Sequence, residues 1–214
     1  MNLKAYSNIR NPVVAGSFYP GSASQLKAKI SSLVPEKSFV KIPSIGCVLP
    51  HAGYVYSGAV ACATASSIII PENIILLGPN HTGLGHPFSV MTEGLWRTPL
   101  GDIEINSKLA KEILNCSRLL EDDPLAHSQE HSLEVELPIL QYYKEDFKIV
   151  PITLYSQSLG ELKKLGSDIA DAIKKLQLND SILLVASSDM THYESQESAE
   201  NKDKIAIEAM LALD

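Results

Sequence analysis

The chain has 214 residues, 45% hydrophobic and 20% charged, with a formal net charge of −7. That is long enough for one substantial core, and the acidic balance leaves no basic stripe for phosphates, so nucleic-acid binding is excluded as a main function. No apolar run reaches the length of a membrane span, and the first residues show neither a signal nor a transit pattern, which points to a soluble, cytoplasmic domain.

Taken in chain order, Ser24 caps a predicted helix over Gln25–Leu33, which Pro35 closes. Ser44–Leu49 is a short apolar run ending in Pro50 and reads as a buried strand. Gly58–Ile70 is small and apolar, as in a tightly packed helix. Asn73–Leu77 is nearly continuous Ile and Leu, the pattern of a strand buried on both faces. Pro79 to Gly83 is a loop by composition. Phe88–Glu93 and Gly101–Ile105 read as extended pieces, and Ser107 as the cap of a helix to Asn115.

Glu130–Tyr143 carries Leu133, Leu137 and Leu140 at helical spacing, although Pro138 should kink that helix or end its first segment. Phe147–Tyr155 reads as a strand, and Pro151 within it favours an edge or a bulge. Leu159–Leu176 repeats apolar residues at Leu162, Leu165, Ile169, Ile173 and Leu176, the strongest helical signal in the chain. Ser181–Ala186 is again a buried strand, and a last amphipathic helix runs over Lys202–Asp214. The three cysteines, Cys47, Cys62 and Cys116, form no CxxC pair and support no disulfide framework.

Strands alternating with amphipathic helices predict one layered α/β/α domain with a central, largely parallel or mixed sheet. Ligands in such folds bind beyond the carboxyl ends of the strands. That rule selects three strand exits: His51, then Asn80 with His81, then Asp189 with His192. Their convergence requires the three strands to be neighbours.

Each exit also has a plainer reading. His51 in Pro50-His51-Ala52-Gly53-Tyr54 serves equally as a turn histidine bonded to a carbonyl. His81, between Gly78-Pro79 and Gly83, has no evident capping task, which favours function. Asp189 stands three residues before His192 and is placed to orient its ring or share its proton, while Ser188 or Asp189 also suits a helix cap. Glu130, His131 and Glu134 form a fourth cluster that supplies ligands or a general base, or else a solvated acidic helix start. His127, in a polar loop, and His86, before Pro87, read as structural or exposed. A histidine-rich set suits iron, copper or zinc better than magnesium or calcium. No GxSxG, Walker loop, GxGxxG or HExxH motif is present.

Six segments together resemble the Memo family, whose prokaryotic members are also called AmmeMemoRadiSam system protein B. They are Arg10 to Pro20, Pro50 to Tyr54, Gly78 to His81, Arg97 to Gly101, Glu130 to Ser132 and Ser187 to His192. The resemblance implies the fold of class III extradiol dioxygenases, which open catechol rings with non-haem iron. It also implies His51 and His81 as metal ligands and His192 as the acid-base group, aided by Asp189. Iron or copper is the implied cofactor, with zinc as a further candidate.

In Memo proteins the third ligand resembles a cysteine from a later segment. The chain therefore reads as lacking the family's C-terminal segment, and weaker metal binding than in a longer relative is expected. Asn80, Tyr54, Glu130 and His131 are the expected substrate contacts, with Trp96 in the same cleft. The resemblance leaves three roles open: a redox enzyme, a binding module for a small molecule or peptide, or an accessory to a radical enzyme. Homo-oligomerisation is also left open.

Overall fold

The computed structural model describes residues 8–37, 39–156 and 158–212. The Ile-Leu run from Asn73 becomes β3 (Asn73–Pro79), its first four residues buried, because it has a neighbour on each side. Those neighbours are β9 (Ile182–Ser187) and β8 (Lys148–Leu154), both parallel to it. Beyond β9, β2 (Gly46–Leu49) is also parallel, whereas β4 (Phe88–Val90) runs antiparallel on β8 and carries β7 (Glu121–Asp122). The six-stranded order is β2-β9-β3-β8-β4-β7. A second sheet, β1-β5-β6, joins β1 (Ile9–Arg10) to the hairpin of β5 (Leu95–Thr98) and β6 (Gly101–Glu104).

Helices cover the sheet in two groups, completing the α/β/α layering. α1 (Ala23–Leu33), α2 (Gly58–Ser67) and α4 (Leu137–Tyr143) pack together, and α3 (Ser107–Cys116) packs with α5 (Leu159–Lys175). α5 buries Leu165 and Ile169, with Leu162, Ile173 and Leu176 partly buried against the core, so its stripe faces inward as its spacing predicts. α6 (Gln196–Ala212) contains no buried residue. No helix among the described residues is long and apolar enough to cross a membrane.

Several local expectations are corrected. α1 begins at Ala23, ahead of Ser24, and α3 is capped by Asn106, whose side chain accepts from the Leu109 N–H, rather than by Ser107. The helix expected over Glu130–Tyr143 begins only at Leu137; Pro138 lies in its first turn, where a missing N–H costs nothing, and 132–136 are turns. β8 is an interior strand, not an edge. Pro151 is tolerated there because its carbonyl, and hence its N–H side, faces Met91, just past the last residue of β4. The end of the last helix at Asp214 lies outside the described residues.

His127 closes a 3-10 turn, Pro124–His127, and is fully buried, its ring centroid 5.8 Å from that of Trp96 in an edge-on arrangement. Neither ring nitrogen closes a hydrogen bond of normal geometry. Burial, reinforced by the Arg10 charge, pushes the imidazole down to about 4. The unfolded chain therefore takes up a proton below about pH 6.5 that the folded chain refuses. This contribution is intact above that pH and is lost as pH falls toward 4, by about 1.4 kcal/mol per pH unit. Melting curves of wild type and His127→Phe between pH 7 and 4.5 should show a shallower acid slope in the variant; equal slopes would contradict the assignment.

Candidate metal centre

The strand order explains why distant histidines meet. β9 lies between β2 and β3, so the exits of all three strands open on the same end of the sheet. Pro50 carries β2 into His51, and β3 ends at Pro79, two residues before His81. The segment following the 3-10 turn adds Glu130 and His131. The rings of His51 and His81 lie 5.2 Å apart, those of His51 and His131 5.8 Å, and those of His81 and His131 4.6 Å, the last pair stacked. One ring nitrogen from each of the three falls within 4.8 Å of the others.

Hydrogen bonds fix how two of these rings present themselves. The Ser187 hydroxyl donates its single hydrogen to the Ser132 carbonyl at 2.8 Å. At 2.7 Å from His51 Nδ1 it can then only accept, so Nδ1 carries the proton and Nε2 keeps its lone pair. The Glu130 carboxylate plays the same part for His81, accepting Nδ1–H at 2.9 Å as well as the His81 backbone N–H. It also accepts the backbone N–H groups of His131 and Ser132 at 2.8 and 2.9 Å. Burial raises the Glu130 pKa, but hydrogen bonds from His81 and Ser132 outweigh it and hold the group below the usual carboxylate range.

Burial also sets the charge of two of the rings, His51 and His131. It pushes His51 down to about 4 against the pull of Asp189, with His81 and His131 adding to the fall. Burial lowers His131 likewise. Neutral imidazoles with free lone pairs are the form that binds metal.

Asp189 holds the approach to His51, accepting the backbone N–H groups of His51 and Ala52 at 2.6 and 2.9 Å. Its second oxygen is 3.6 Å from His51 Nε2. His192, grouped with Asp189 from sequence, is exposed, with Nδ1 2.9 Å from the Met190 carbonyl and its ring against Tyr193. It lies outside the triad, on the wall of a cleft of about 930 Å³ that Asp189 also lines.

Among the expected substrate contacts, Tyr54 is 1% exposed and donates to the Val135 carbonyl, within the core. Asn80 uses its side chain on Thr82, Gly83 and Leu84, shaping the loop that carries His81. Trp96, also placed in the cleft, is buried beneath the Arg10 guanidinium. Glu130 and His131 do reach the centre, Glu130 as the support of His81 and His131 as its third ring. None of the cysteines joins the cluster among the described residues.

The profile of Memo-like proteins matches residues 10–214. The chain belongs to the Memo family. A MEMO1 family protein of Nitrosopumilus maritimus is 43% identical over 215 residues, covering 96% of this chain and 77% of the relative. Relatives bearing the same family name in Methanopyrus kandleri and Aquifex aeolicus are 40% and 42% identical, with 76% and 74% of their lengths covered.

In this Memo chain, Glu130→Gln removes the charge that fixes His81 while keeping the side chain's size. Metal affinity should fall by about 10- to 100-fold. Calorimetric titration with Zn(II) checks this, and unchanged affinity would show that the carboxylate does not support the ring.

Proposed function

We propose that this Memo protein is a non-haem redox protein that binds one Fe(II) or Cu(II) ion through His51, His81 and His131, with Asp189 as the adjacent carboxylate. The observation that carries the reading is the approach of three imidazoles, two of them held neutral by burial, within 4.8 Å. Nitrogen donors of this kind suit iron, copper or zinc, and zinc would occupy the site without redox chemistry. When bound, iron or copper supplies one-electron chemistry and a Lewis acid.

The remaining roles belong to the chain. Glu130 and Ser187 orient His81 and His51. Asp189 accepts hydrogen bonds at the mouth of the centre, and His192, exposed on the cleft wall, exchanges protons with solvent. The cleft beside them, lined by Val48, Pro50, Tyr56, Val60, Met190 and Ile207, offers an apolar surface to a small molecule or peptide.

Anaerobic loading with Fe(II), followed by oxygen and a panel of catechols, tests the redox reading. Oxygen uptake above the free-metal rate, lost in His131→Ala, supports it. A fully loaded protein without uptake contradicts it and favours a cleft that binds its ligand without turnover.

A further inference from the structure

The ends of two helices bring together three side chains that the histidine centre does not use. α3 ends at Cys116 and α5 at Lys175, and the two helices pack against each other. Lys175 Nζ donates to Cys116 Sγ at 3.2 Å and to Glu112 Oε1 at 3.3 Å. The Cys116 thiol donates to the same Glu112 oxygen at 3.6 Å, one helical turn back. Sulfur, nitrogen and oxygen thus close a triangle across residues 59 positions apart. The carbonyl ends of both helices lie here, which favours the Lys175 cation.

Surroundings separate Cys116 from the other two cysteines. Burial pushes the Cys62 thiol up to about 11 and the Cys47 thiol up to about 12, the Glu136 charge adding to the latter. Cys116 is half-buried beside the exposed Lys175 side chain, so a small oxidant reaches its sulfur from solvent. An ammonium group next to a cysteine favours the thiolate, the form that peroxides oxidise. The hydrogen bond to Cys116, and then that to Glu112, raises the Lys175 pKa and holds its proton while the sulfur is reduced.

We propose that Cys116 and Lys175 are an oxidative modification site, at which hydrogen peroxide joins the sulfur to the amine in a sulfenamide. Glu112 accepts the thiol proton, and the thiolate takes one oxygen from the peroxide, giving a sulfenic acid. The hydroxide released takes a proton from Lys175 and leaves as the first water. Oxidation removes the thiolate that held this proton, so the same step frees the amine. Its nitrogen lies 3.2 Å from the sulfur, within the roughly 3–3.5 Å at which reacting atoms are poised to join. The amine attacks the sulfur, the S–N bond forms as the S–O bond breaks, and the departing hydroxide takes the proton now on Glu112 as the second water. The nitrogen's surplus proton returns to Glu112 and then to solvent, replacing the one that Lys175 brought as an ammonium. In sum, one thiol, one amine and one peroxide give one sulfenamide and two waters, the sulfur oxidised by two electrons and the peroxide reduced. The bond ties α3 to α5, and it forms whether or not the histidine centre holds a metal.

Intact mass and peptide mapping test the site after the full chain is treated with hydrogen peroxide in the presence of a chelator. The chain should lose about 2 Da, and digestion should yield one peptide pair joined through Cys116 and Lys175. Two thiols should remain open to alkylation after unfolding, because a sulfenamide consumes one cysteine and a disulfide would consume two. Dithiothreitol should restore the original mass. The cross-link should raise the melting temperature by roughly 10 °C, an increment that the reductant removes. Lys175→Arg keeps the charge without the amine, and should stop at a sulfenic acid that dimedone traps on Cys116. Cys116→Ser should abolish both products. An unchanged mass would overturn the proposal, as would a dimedone adduct on Cys116 in wild type with Lys175 unlinked, or a single remaining thiol. Survival of the 2 Da loss in Lys175→Arg would overturn it too.

Discussion

Replacing His131 with alanine should lower metal affinity about 100-fold or more while leaving the metal-free protein almost as stable as wild type. The size of the effect follows from position. Losing a group that merely supports a ligand costs about 10- to 100-fold, and losing a donor outright is at least as severe. The His131 side chain is 23% exposed and packs against Phe18 and His81, so its removal opens no sealed cavity. Titration with Fe(II) or Zn(II), beside a melting curve of the apoprotein, separates the two effects. Wild-type affinity in the variant would make His131 a wall of the site and not a donor.

Arg10→Met should be the most destabilising single change outside the hydrophobic core, at about 3–5 kcal/mol. Glu134 is wholly buried, and its carboxylate receives Arg10, the backbone N–H groups of Val13 and Val14 at 2.9 and 3.1 Å, and the Tyr19 hydroxyl at 2.5 Å. Arg10 also donates to the carbonyls of His127 and Glu130, and its guanidinium lies 4.4 Å from the Trp96 ring centroid. Removing the guanidinium leaves a carboxylate with no counter-charge in a dry interior. The melting temperature should fall by roughly 10 °C. Arg97→Met, which breaks an exposed pair with Asp102, should leave it nearly unchanged. Similar melts for the two variants would contradict the buried-pair account. Metal binding should weaken with Arg10→Met too, because the same network seats the 10–19 segment whose Phe18 packs on His131.

Much of this arrangement is legible in the sequence for a simple reason. His51 and His81 follow buried apolar strands, and parallel α/β sheets gather such exits at one end. His131 is harder to read because Glu130–Tyr143 has helical apolar spacing, which sets His131 beside Glu134 on one predicted face. The chain instead turns through 132–136, sending His131 to the histidine cluster and Glu134 to Arg10. That ion pair links residues 124 positions apart and leaves no local signal. His127 reads as a loop residue because the short 3-10 turn that buries it lies between Asp123 and Ser128 and has no periodicity. Pro151 reads as an edge residue; the missing strand neighbour it requires exists for that one position inside the sheet.

The most direct test of the three-histidine centre is X-ray absorption at the metal edge of the Fe(II)-loaded protein. The geometry predicts a first shell of nitrogen and oxygen, multiple scattering from three imidazoles, the loss of one imidazole in His131→Ala, and no sulfur. A thiolate sulfur in the shell, or a spectrum that His131→Ala leaves unchanged, would contradict it.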